Sequence, residues 1–264
     1  MMRMLASTVV AFAALFLVLA PPTATAQQPQ QQQQQQPAAP KAYKKVPIKL
    51  PEEVSDKTFA TFRQQLMGIA EKKDRAGLTR ILAQNFFWIP EGKDVAEKNK
   101  PAIENLSKAI GLDGEDPPGW DLLAGYASEP TAEPINDPAY PGVICSPAEP
   151  TLDDKAFEEL VTATQTDPAE WGYPTKDGIE ARAQPQANSP VVEKLGLHLV
   201  RAFPDDSPAG AVNSDMIRIV TPSGKLGFIS VDALLPLASD QVCYRKEGST
   251  WKIAGIIGGV PPTK

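Results

Sequence analysis

Hydrophobic positions along the chain follow three different rhythms. Val9 to Ala20 is one continuous apolar run. Between Ser55 and Thr164 the apolar residues recur three and four apart, the spacing that places side chains on one face of a helix. Between Ile179 and Leu235 they alternate in short bursts, the spacing of half-buried strands.

The helical region divides by its caps and breakers. Ser55 and Asp56 are cap-type residues ahead of Phe59, Phe62, Leu66, Ile69 and Ala70, which share one face. Asp74 can cap a second helix with Leu78, Ile81 and Leu82 as its stripe. Asn85 to Ile89 reads as a buried strand ended by Pro90, its aromatics belonging to a core. Helices are predicted over Ala102–Ile110 and Pro118–Ala127. From Glu129 to Pro150 the density of proline predicts a loop laid over the surface. Phe157, Leu160, Val161 and Thr164 mark one more helix, started by Asp153 or Asp154.

The alternating region predicts strands at Ile179–Ala183, Val191–Leu195, Leu197–Arg201, Met216–Val220 and Leu226–Ile229. Pro222-Ser223-Gly224-Lys225 supplies a hairpin turn, and Val231–Leu235 a helical turn before a last strand. Beyond it, Val242–Lys246 and Trp251–Ile257 form a hairpin about the Glu247-Gly248-Ser249 turn. The predicted fold class is α+β: a mixed helical N-terminal domain, a small β-barrel and a C-terminal β-hairpin.

Ala181-Arg182-Ala183-Gln184-Pro185, Asn188-Ser189-Pro190-Val191-Val192, Leu195-Gly196 and Ser223-Gly224-Lys225-Leu226-Gly227-Phe228-Ile229 together resemble the bacterial SH3-like pattern, over residues 178–235. The resemblance implies a barrel that binds cell-wall peptide or proline-containing segments. Met216 stands where that family usually has an aromatic, and Phe228 where it usually has Trp. The groove is expected between the Gln184–Pro190 and Ala202–Asn213 loops, with Tyr173, Phe203 and Phe228 as candidate contact residues; for each of the three a structural role is the favoured reading, since such barrels fill their small cores with aromatics. The terminal turn and Trp251-Lys252-Ile253, with the early helix, Lys73-Asp74 helix and aromatic strand, resemble small α+β domains of the nuclear transport factor 2-like type. That likeness implies that the hairpin returns to the first domain and that the barrel is an insertion.

Arg3, the apolar run and Ala24-Thr25-Ala26 make residues 1–26 a secretory signal peptide. The run stops at Pro21-Pro22, short of the roughly 20 apolar residues a bilayer span needs, so no transmembrane anchor is expected after cleavage. Gln27 to Gln36 and the prolines that follow cannot bury enough surface to order themselves, and a disordered leader is expected over 27–54. Domains are then expected at 55–174, 175–238 and 239–264. The formal charge is −6, and removal of Arg3 makes it one unit more negative. Such a chain has no basic footprint for nucleic acid.

Cys145 and Cys243 are the only cysteines. In an exported protein an even pair points to a disulfide, here closing a loop worth about 4 kcal/mol in the chain-entropy account. The rival is Cys145 as a nucleophile with His198 as its base; against it, Ile144-Cys145-Ser146-Pro147 lacks the Asp-Cys turn of the wall cysteine peptidases. One histidine cannot build a catalytic zinc site, and neither a phosphate loop nor a Gly-x-Ser-x-Gly elbow occurs. Acidic groups at Asp113, Glu115 and Asp116 or Asp205 and Asp206 leave a carboxylate pair open. No cofactor and no metal is expected. The expectation is a periplasmic or secreted, non-catalytic envelope protein that binds peptide or peptidoglycan. The alternatives are a hydrolase working with acidic residues of the first domain, or a purely structural barrel.

Overall fold

The computed structural model describes residues 40–202 and 215–260. The expected signal peptide, the glutamine tract, Phe203, Asp205 and Asp206 lie outside the described residues. The fold is α+β. In chain order the elements are β1 (Ile48–Lys49), α1 (Lys57–Glu71), α2 (Arg75–Ile81), β2 (Leu82–Ile89), α3 (Ala102–Ile110), α4 (Gly119–Ser128), β3 (Glu133–Pro134), β4 (Val143–Ser146), β5 (Thr151–Leu152) and α5 (Asp154–Thr164). They continue with β6 (Trp171–Pro174), β7 (Ile179–Arg182), β8 (Val191–Leu195), β9 (Val200–Ala202), β10 (Met216–Val220), β11 (Leu226–Ser230), β12 (Leu234–Pro236), β13 (Gln241–Glu247) and β14 (Thr250–Ile257).

Asp56 caps α1 by accepting the Thr58 N–H at 2.8 Å, and the helix buries Phe59, Phe62, Leu66, Ile69 and Ala70. That face lies on a five-stranded sheet in the order β2-β14-β13-β4-β3, with β2 and β14 parallel and the other pairs antiparallel. Phe59 and Phe62 meet the Tyr244 ring edge-on at 5.1 and 5.8 Å. Leu78 of α2, Leu106 of α3 and Leu123 of α4 complete this core together with Trp88 and Ile253. Each such fully buried side chain contributes about 1.5–3 kcal/mol over an exposed one. The opposite face of the sheet carries Ala83, Phe87, Val143, Cys145, Cys243 and Ala254. Phe87 sits where Gly255 has no side chain: a Cβ there would lie 2.5 Å from the ring.

β13 and β14 are therefore laid between strands that precede them by about a hundred residues or more: β14 beside β2, and β13 beside β4. The chain between them builds a second sheet in the order β12-β6-β9-β10-β11-β7-β8. Its inward residues, Ile179, Ala181, Leu195, Val200, Ile219 and Ile229, form one core. The expected barrel is not closed. Among the described residues no pairing joins β12 to β8; β12 is three residues long and ends in Pro236, which has no N–H to donate.

Three further departures have physical causes. The segment from Tyr43 to Leu50, expected within the disordered leader, is laid against the second sheet. Leu199 N–H donates to Val46 O at 2.9 Å, Ile48 N–H donates to Leu197 O at 3.1 Å, and the Tyr43 ring stands edge-on to Trp171 at 5.0 Å. Val46, Ile48 and Leu50 alternate with Lys45, Pro47 and Lys49, a strand signal beside lysines and prolines. The proline-rich stretch contains β4, buried between β13 and β3. Trp171–Pro174 belongs to the second sheet, pairing with β9 and β12, although the sequence places it in the preceding domain.

Candidate functional site

Tyr173, expected at a ligand groove, is 4 % exposed and packs with Trp171, Leu199 and Val46. Burial first, then the nearby Glu129, Glu149 and Glu133, pushes its phenol up to about 12. Its place is internal because the Tyr43–Leu50 segment and α5 cover that part of the sheet. Phe203 lies outside the described residues.

Phe228 is placed differently. Its neighbours Gly227 and Ile229 turn inward, so by strand alternation it lies on the outer face, half-buried. Register sets it opposite Arg182 on one side and Arg218 on the other, and Val191 stands opposite Arg182. A row of Val191, Arg182, Phe228 and Arg218 thus crosses four strands. Arg182 is held in it by Ser189 O at 2.8 Å and by Glu180 at 2.6 Å. Val191, Leu226 and Leu235 of this sheet, and Val231 in the turn after β11, are exposed large apolar residues. The surface combines apolar area with guanidinium, so it can offer hydrophobic contact and charge-assisted hydrogen bonds at one place.

Cys145 and Cys243 are joined, which removes the thiolate from chemistry and corrects the nucleophile reading. They stand directly opposite each other on β4 and β13. His198 is buried; its Nε2 accepts the Gly196 N–H at 3.2 Å, and its Nδ1–H donates to Leu199 O at 3.0 Å. Both ring nitrogens are spent on backbone. Asp113 pairs with Arg75 at 2.8 Å in an exposed position. Among the described residues no group of three His, Cys, Asp or Glu side chains could hold a metal ion. No described helix is long and apolar enough to cross a membrane.

A cleft of about 610 Å³ lies where α4 meets Pro147 and the Ser239–Asp240 segment. Leu122, 45 % exposed, and Tyr126 line it with Pro147, and Asp121, Glu129 and Asp240 add three carboxylates. Burial first, then Asp240, pushes the Tyr126 phenol up to about 12, so its O–H stays a donor. The walls are tied together: Gln241 Nε2 donates to Pro147 O at 2.8 Å, and the disulfide lies two residues from each. The sequence carried a partial signal for this site, since Leu122 breaks the inward stripe of its helix. Pro147 and Asp240 meet it only through the pairing of β4 with β13. Comparison with protein-family models, with curated proteins and with solved structures returned no match to this chain.

Proposed function

We propose that this is an exported, non-catalytic protein of the cell envelope, periplasmic or secreted, whose seven-stranded sheet is a recognition module of the SH3-like kind. Its ligands are wall peptides or peptidoglycan stems bearing free carboxylates. The observation that carries this reading is the outer row of Val191, Arg182, Phe228 and Arg218. An aromatic between two guanidinium groups offers stacking area and charge-assisted hydrogen bonds at one place. Arg182 is already fixed by Glu180 and Ser189, so less side-chain entropy is lost on binding. The apolar run from Val9 to Ala20, the Ala24-Thr25-Ala26 site and the buried disulfide support export.

The test is co-sedimentation of the purified protein with insoluble peptidoglycan. Saturable binding is expected, weakened about tenfold, or about 1.4 kcal/mol, by Phe228→Ala and by Arg182→Gln. Wild-type and variant proteins sedimenting alike would overturn the assignment of this face. Release of soluble wall fragments would overturn the non-catalytic reading.

A further inference from the structure

We propose that the cleft between α4 and the Ser239–Asp240 segment is a second binding site, and that its occupant is a basic, extended peptide. One lysine or arginine side chain lies between Asp121, Glu129 and Asp240, and its apolar neighbours rest on Leu122 and Tyr126. Several observations on different elements converge here.

Charge comes first. Asp56, Asp94, Glu97 and Asp113 each have a lysine or arginine within ion-pairing distance. Among the described residues Asp121, Glu129 and Asp240 have no such cation. Glu133 and Glu149 extend the same field: the Glu149 N–H donates to Glu133 Oε1 at 2.8 Å, and the Glu149 carboxyl is pushed up by burial and then by Glu133. A concave surface with carboxylates of one sign concentrates cations at its mouth.

Shape and stiffness come next. The cleft is open to solvent rather than an enclosed cavity, and its volume of about 610 Å³ exceeds that of one side chain. Leu122 projects into it although the rest of its helix keeps Trp120, Leu123 and Ala127 inside. Pro147 is held by Gln241, and the Cys145–Cys243 bond holds β4 to β13 behind it, so the walls are set before anything binds. An anionic lipid surface or nucleic acid would meet three unneutralised carboxylates, which leaves a cationic peptide as the partner whose charge fits.

The experiment uses the mature chain and a fluorescein-labelled acetyl-Ala-Lys-Pro-Lys-Ala-amide peptide, read by anisotropy, with the Glu-for-Lys peptide beside it. The Lys peptide is expected to bind and the Glu peptide not. Asp240→Asn and Leu122→Ser each weaken binding by about three- to fivefold, and raising the salt weakens it further. Both substitutions sit at the cleft surface, and an unchanged melting temperature shows that the fold is kept. Phe228→Ala leaves this binding intact, so failure of the wall-peptide assignment and failure of this one are read separately. Equal binding of the two peptides, or Asp240→Asn and Leu122→Ser variants that bind as wild type does, would overturn the proposal.

Discussion

The imidazole of His198 has no room to take a second proton: Nε2 is accepting from Gly196, and ionising it would break that bond inside a buried site. Burial pushes its pKa below the ordinary value, and Lys45 acts in the same direction, against the Leu199 carbonyl, Glu193 and Asp177. In the unfolded chain the ring protonates near about 6.5. The unfolded state therefore binds more protons between that value and the lower folded one, and stability is lost as pH falls through this window. Urea midpoints are expected to drop from pH 7 to pH 5 in the wild type, with a flatter profile in His198→Asn. Identical slopes would sink this account. One residue-level reading came straight from composition: two cysteines left one intramolecular partner each, and Cys145 and Cys243 are joined. For Tyr173 the structural side of the two readings holds, because the Tyr43–Leu50 segment and α5 lie over it, which the local sequence does not tell.

At the scale of elements, the helices were legible because each has an apolar stripe and α1, α2 and α5 also have an Asp cap. Asp56 and Asp74 do cap α1 and α2, and the five apolar residues chosen for α1 are the five it buries. β4 and the Tyr43–Leu50 segment were not legible for the opposite reason. Their hydrogen bonds go to strands about a hundred or more residues away, and the prolines around them are local signals for loop. The cleft was hidden for the same reason, its walls coming from three distant stretches. The pairing of β2 with β14 makes a sharper prediction. Gly255 leaves the space that the Phe87 ring fills, so Gly255→Ala forces that ring or the strand to shift. A loss of about 1–3 kcal/mol is expected in denaturant unfolding, the usual cost of overpacking. A change within experimental error would show that the sheet relaxes there freely.

For the whole molecule, the disulfide spans a sequence separation of 98 residues, and that interval contains the entire second sheet. Replacing both cysteines by alanine is expected to lower the unfolding free energy by about 4 kcal/mol, read by calorimetry, because the open chain regains loop entropy. A loss below about 1 kcal/mol would mean that the unfolded chain already retains structure that confines this loop. The α+β class followed from the two spacings of apolar residues. That the strand-rich part forms an open run rather than a closed barrel depends on the short, proline-ended β12, which periodicity does not weigh.

β6 and β12 are partners in the second sheet, with Gly172 opposite Pro236, so the chain arrives in that sheet and departs from it at adjacent points. A stretch with its two ends side by side behaves like a cassette. It can be lengthened, exchanged for another of the same span, or shortened to a turn without dragging β4 and β13 apart, and the bond between Cys145 and Cys243 would clamp the splice through the change.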